Sequence, residues 1–107
     1  MNGVPQLTAA ELKRRIDAGE DLQIVDVREP HEYQIANIGG KLIPLGEIPA
    51  RMAEIDPERE IVVHCKMGGR SQRAAEFLRR CGYAKVSNLA GGIHAWSREV
   101  DATLPIY

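Results

Sequence analysis

Ile61-Val62-Val63-His64-Cys65-Lys66-Met67-Gly68-Gly69-Arg70-Ser71 is the stretch on which the reading of this chain turns. Its first three residues are β-branched and apolar without alternation, and with His64 they read as a strand buried on both faces. Two glycines then break the run. From Ser71 to Cys81 the apolar positions Ala74, Leu78 and Cys81 recur at helical spacing, and Gly82 ends the segment. A buried strand, a short loop and a helix in that order are a unit of a parallel sheet.

The rest of the chain repeats the alternation. Thr8-Ala9-Ala10-Glu11 is a capping box, followed by Leu12 and Ile16, with Gly19 closing the helix. Leu22 to Val27 reads as a second buried strand and Glu29 to Tyr33 as a turn of helix. Gly39-Gly40 marks a turn and Lys41 to Ile43 a short strand. Ile48, Met52 and Ile55 predict an amphipathic helix that Asp56-Pro57 ends. Val86 to Leu89 is a further strand, and Ile93, Trp96 and Val100 mark a last helix after Gly91-Gly92. The expectation is an α/β fold with a parallel sheet covered on both faces.

With 107 residues the chain is expected to form one domain spanning 1–107. Hydrophobic residues at 44% and charged residues at 27% exclude a disordered chain. No apolar run is long enough for a membrane helix. The opening Met1-Asn2-Gly3-Val4-Pro5 has neither a basic nor an apolar leader segment, so a cytoplasmic protein is expected. A net charge of −1 and a pI near 6.3 imply no general attraction to nucleic acid or to an anionic membrane. Charge is nonetheless uneven, with six acids and one Arg between Asp17 and Tyr33, and six bases and one acid between Lys66 and Lys85. Cys65 and Cys81 lie at either end of a helix that would span ~16 Å, beyond the ~7 Å a disulfide allows. Neither they nor the three His have the spacing of a zinc site, and no metal or cofactor is expected.

Cys65 is the candidate nucleophile. It follows a parallel strand, where ligands bind in such sheets, and precedes a helix whose free amides and dipole favour an anion. Gly68 and Gly69 let the loop curl so that several amides face one centre. Ser71 is suited to cap the helix, and Lys66 and Arg70 add positive charge at the rim. Such surroundings lower a cysteine's pKa and make it reactive as a thiolate. Cys81, on an apolar helix face, reads as a core cysteine. Asp26 and Arg28 end a strand on the same side as Cys65, within reach of a substrate, but with Glu32 they are expected to support the site, Arg28 pairing with Glu32 while Asp26 orders the loop. His64 is expected on the opposite sheet face from Cys65, packed and hydrogen-bonded, with His31 and His94 on the surface.

Asp26-Val27-Arg28-Glu29, His31-Glu32-Tyr33, the loop Cys65 to Ser71, Gly82-Tyr83 and Leu89-Ala90-Gly91-Gly92-Ile93-His94-Ala95-Trp96 together resemble a single-domain rhodanese, a sulfurtransferase. The ending, Trp96 to Leu104-Pro105-Ile106-Tyr107, is similar to the rhodanese domain at the C-terminus of adenylyltransferases serving molybdopterin or thiocarboxylate synthesis. Without an adenylylation domain, the chain reads as a free-standing relative or an excised piece. The resemblance implies a five-stranded parallel sheet and a ping-pong reaction in which Cys65 carries sulfane sulfur as a persulfide. It implies that Lys66, Met67, Gly68, Gly69, Arg70 and Ser71 form the loop that cradles this sulfur. Ala36-Asn37-Ile38-Gly39-Gly40-Lys41 departs from the Gly-His-Ile-Pro-Gly-Ala of many relatives, which bears on donor choice.

Lys66 and Arg70 favour a small anionic donor such as thiosulfate, or a protein persulfide, over mercaptopyruvate. A cysteine desulfurase or a sulfur-carrier protein are the expected protein partners. Two other readings are weighed. His64-Cys65 with Arg70 is similar to the His-Cys-x₅-Arg signature of cysteine phosphatases and related arsenate reductases, but only four residues separate Cys65 from Arg70. A binding or regulatory module of the same fold would be expected to lose the cysteine or the loop charges.

Overall fold

Apolar residues with little alternation drive Leu22–Asp26 (β2) and Glu60–His64 (β4) into the centre of a sheet, where both faces are covered. The computed structural model describes residues 3–107. The expected absence of a leader segment rests partly on Met1 and Asn2, which lie outside the described residues. Five strands pair in parallel in the order β1-β5-β4-β2-β3, where β1 is Gln6–Leu7, β3 Lys41–Leu42 and β5 Val86–Leu89. The five-stranded parallel α/β architecture is therefore present. β1 has only two residues, too few for a periodic signal, and the sequence gives no hint of it.

Four helices connect the strands, α1 (Ala9–Asp17), α2 (Pro30–Ile35), α3 (Ile48–Arg51) and α4 (Gly69–Arg80), and α5 (Gly92–Glu99) follows β5. The Thr8–Glu11 capping box opens α1, each side chain bonded to the other's main-chain amide. Leu12 of α1 is buried, but Ile16 is 38% exposed, so the apolar stripe is shorter than its spacing suggests. The helix expected through Ile48, Met52 and Ile55 is broken. A 3₁₀ turn precedes the four-residue α3, another follows over Met52–Glu54, and Ile55 is extended. Ile48 and Ile55 are both buried all the same, so their spacing marked burial rather than one continuous helix.

Alternation along β4 divides the core. Ile61, Val63 and Cys65 join Ala74, Ala75 and Leu78 of α4 and Ile48 of α3 on one face. Val62 joins Leu12 of α1 and Ala95 and Trp96 of α5 on the other. From β2 the chain moves outward to β3, and from β4 it moves in the opposite direction to β5. The ends of β2 and β4 thus form the point where the winding reverses, the position at which parallel sheets of this kind bind ligands. Cys65 and Asp26 stand at those two ends. No helix among the described residues is long and apolar enough to cross a membrane.

Candidate functional site

Cys65 follows the last residue of β4, and α4 begins four residues later. Gly68 occupies the N-cap with φ +112°, a conformation that side-chain-bearing residues rarely adopt. This turn aims the Gly68 amide at the Cys65 Sγ, 3.1 Å away. The Ser71 hydroxyl lies 3.3 Å from the same sulfur. Burial by itself would push the thiol up. The Ser71 hydroxyl and the amides of Ser71, Gly68 and Met67 outweigh it and hold the thiol below its ordinary value. The arrangement can stabilise a sulfur anion with neutral dipoles alone. Cys65 is only 1% exposed, whereas Met67 at the loop tip is 63% exposed.

Ser71 is not the helix cap. It sits in the first turn of α4, where its Oγ lies 2.6 Å from Asn88 Oδ1 and 3.3 Å from the Gly68 carbonyl as well as facing the sulfur. Buried Asn88 of β5 in turn donates to the Gly68 carbonyl and to Gln6. The loop is also held from outside. Ile93 and His94, in the first turn of α5, donate their amides to the carbonyls of Cys65 (2.9 Å) and Lys66 (3.2 Å). The approach requires Gly92, because a Cβ there would stand 2.5 Å from the Lys66 oxygen and 2.6 Å from that of Cys65. With the carbonyls drawn outward, the loop's amides are left to face the sulfur.

A charged network borders this neutral cradle. Asp26 and Arg28, both fully buried, form a bidentate ion pair, with Arg28 Nη2 2.6 Å from Asp26 Oδ2. Arg28 also donates to the main-chain oxygens of Glu32 and Ala36 and to the Tyr107 hydroxyl. Arg70 places Nη1 and Nη2 on the two Glu32 oxygens, at 2.7 and 2.8 Å. That guanidinium, with help from the Glu29 amide and the Tyr107 hydroxyl, pulls the Glu32 carboxyl down to about 2 against the cost of burial. The Lys66 ammonium lies 4.8 Å from the centroid of the Tyr107 ring. Among the described residues no group of three or more His, Cys, Asp or Glu is placed to hold a metal ion.

The chain matches the model of the Rhodanese-like domain over residues 8–99. It belongs to that family. This rhodanese-like domain is 40% identical over 96 residues to a sulfurtransferase of Allochromatium vinosum, covering 89% of this chain and 90% of the relative. It is 37% identical over 110 residues to the adenylyltransferase and sulfurtransferase MOCS3-1 of Zea mays, covering 95% of this chain and 24% of that protein. Other curated relatives are also longer, the chain spanning 31% and 55% of two of them. A rhodanese-like domain protein from Staphylococcus aureus has a solved structure that superposes with a TM-score of 0.84 at 31% identity, covering 97% of this chain and 99% of that one.

Several expectations about individual residues need correction. Arg28 pairs with Asp26, two residues away, and not with the Glu32 carboxylate, which Arg70 takes. Cys81 is exposed: the helical spacing that suggested a core position ends at Arg80, and Cys81 is the C-cap. His64 is packed on the face away from Cys65, but neither ring nitrogen has a hydrogen-bond partner, and Nε2 stays 3.7 Å from Asp26 Oδ2. Burial lowers the His64 pKa and favours the neutral ring. His94 is not a free surface residue, since its Nε2 lies 3.1 Å from the Tyr107 main-chain oxygen and its ring packs edge-on against the tyrosine. Sequence reading missed Asn88 and Tyr107 altogether. An Asn within a short strand of a parallel sheet was the available signal for the first. The second carries no local signal, because its partners lie far back in the chain.

Proposed function

We propose that this rhodanese-like domain transfers sulfane sulfur through a persulfide on Cys65. The observation that carries the reading is the ring of donors on the Cys65 sulfur, which favours the thiolate despite deep burial. The thiolate attacks the outer sulfur of a donor such as thiosulfate. The S–S bond of the donor breaks, sulfite departs with the electron pair, and Cys65 holds the added sulfur. A nucleophilic acceptor then attacks that terminal sulfur and the Cys65 thiolate leaves, so no oxidant or metal is needed. The amides of Met67, Gly68 and Ser71 and the Ser71 hydroxyl stabilise the anion at both stages.

Lys66 supports an anionic donor: it makes no ion pair among the described residues and sits on the loop beside the sulfur. Arg70 contributes as half of an ion pair, not as a free clamp, which speaks against a cysteine phosphatase, where a guanidinium must grip the phosphate. Asp26, Arg28 and Glu32 support the site by holding this wall in place. A protein persulfide of cysteine-desulfurase type is the alternative donor. The combined adenylyltransferase and sulfurtransferase activities in the maize relative's name support a sulfur-carrier protein as acceptor. Both cysteines are free thiols, which supports a reducing compartment such as the cytoplasm.

Incubation with thiosulfate is expected to add the mass of one sulfur to the Cys65 peptide, and cyanide is expected to remove it. A failure of Cys65 to take up sulfur from thiosulfate, mercaptopyruvate or a desulfurase would leave the domain a binding module.

A further inference from the structure

We infer that Tyr107 is a positioning residue that sets the positive field at the mouth of the Cys65 site, and with it the preference for anionic donors. The inference builds on the sulfur-transfer reading above. Both cations of the loop are tied to this one side chain. Lys66 lies directly over its ring, 4.8 Å from the centroid. Arg70 is reached through Glu32, whose Oε2 accepts both from Arg70 Nη2 at 2.8 Å and from the Tyr107 hydroxyl at 2.9 Å.

The tyrosine is itself fixed from two further sides. Arg28 Nη1 donates to its hydroxyl at 2.7 Å, anchoring it to the buried Asp26–Arg28 pair. His94 packs against the ring edge, with its Nε2 3.1 Å from the Tyr107 main-chain oxygen. A hydroxyl that accepts from a guanidinium donates more strongly to its own acceptor, so the Arg28 contact reinforces the bond to Glu32. The consequence for Lys66 is larger. An ammonium on a four-carbon stem is mobile and strongly hydrated unless something holds it, and here the ring face does so. Packing alone would call for the ring but not for a hydroxyl bonded at once to a buried arginine and to the partner of a loop arginine.

The test compares two alkylating agents with the same leaving group, anionic iodoacetate and neutral iodoacetamide, reacting with Cys65 in a Cys81→Ser background. The ratio of their rates cancels thiolate fraction and exposure and reads the local field. Tyr107→Leu is expected to lower the iodoacetate-to-iodoacetamide ratio about three- to tenfold. Tyr107→Phe, which keeps the ring, should lower it less than about threefold. In a Lys66→Gln background, Tyr107→Leu should lower the ratio by no more than Tyr107→Phe does in the parent. With thiosulfate, Tyr107→Leu should raise KM by a similar factor and leave kcat within about twofold. An equal fall in both alkylation rates, leaving the ratio unchanged, would reduce Tyr107 to a packing residue and overturn the inference. An undiminished effect in Lys66→Gln would overturn it as well; if Tyr107→Leu does not fold, Tyr107→Phe in the Lys66→Gln background must still lower the ratio through Glu32 and Arg70, and an unchanged ratio there overturns the inference. The alkylation ratio needs no sulfur transfer, so an intact ratio effect without persulfide formation would fault the sulfur-transfer reading and not this one.

Discussion

The two cysteines stand at opposite ends of α4, and the two ends differ in what they present. At the N-terminal end, a glycine turn and the first amides of the helix converge on a sulfur that is almost fully buried. At the C-terminal end, the exposed Cys81 meets carbonyl groups, and its own amide is used by Phe77 and Leu78. The same residue type is therefore built for chemistry at one end and for nothing visible at the other. What sets Cys65 apart is donors in fixed places, not exposure.

Replacing the sulfurs themselves tests this contrast most severely. Cys65→Ser should fold normally and lose sulfurtransferase activity entirely, because an alkoxide is not populated at neutral pH and cannot carry sulfane sulfur. Cys81→Ser should keep wild-type kinetics with a stability change within about 0.5 kcal/mol. Substantial turnover by the first variant would end the comparison.

The glycines beside the two ends give the next largest effect. Gly92→Ala forces a Cβ against the Lys66 and Cys65 carbonyls at φ +60°. It should cost about 1–3 kcal/mol in chemical denaturation and about 100-fold in kcat/KM, since a small displacement of the loop misplaces its amides. Gly82→Ala, at φ +97° with nothing within 4 Å, should cost about 1–2 kcal/mol and leave kcat/KM unchanged. Equal activity losses would show that the loop is not specifically clasped.

Ser71 and Asn88 sharpen the contrast through pH. The thiolate is the reactive form, so the alkylation rate of Cys65 falls as pH drops through its depressed pKa. Ser71→Ala removes a donor and should move that midpoint about one pH unit higher. Asn88→Ala should move it the other way, because the single Ser71 proton no longer has Asn88 Oδ1 as a competing acceptor.

Glu32→Gln should show the smallest effect. The Glu32 carboxyl is depressed from 4.5 to about 2 in the fold, so its contribution to stability is full above about pH 4.5 and disappears as pH falls through 2. Because Arg70 is partly exposed, a loss of about 1–2 kcal/mol at pH 7 is expected, shrinking to nearly nothing at pH 2 in urea melts.

Local pattern made much of this legible. Val62 to Ser71 announced the strand, the turn and the amides around the Cys65 sulfur, because each depends on neighbours in sequence. Thr8 with Glu11 announced a helix start for the same reason. Arg28 was placed near the site, but its partner was misjudged, since a bend after β2 folds its guanidinium back on Asp26. Cys81 was misjudged because helical spacing predicts a face only while the helix lasts. Asn88 and Tyr107 act across strand pairing and chain return, which no local spacing encodes.

Gly92, Asn88 and Tyr107, which brace the loop, all lie downstream of Cys65. A ribosome incorporates the thiol before it makes any of them. The carbonyls of Cys65 and Lys66 thus wait for their α5 partners until late in the synthesis of the chain, and a polypeptide cut before Gly92 is expected to hold Cys65 without that clasp.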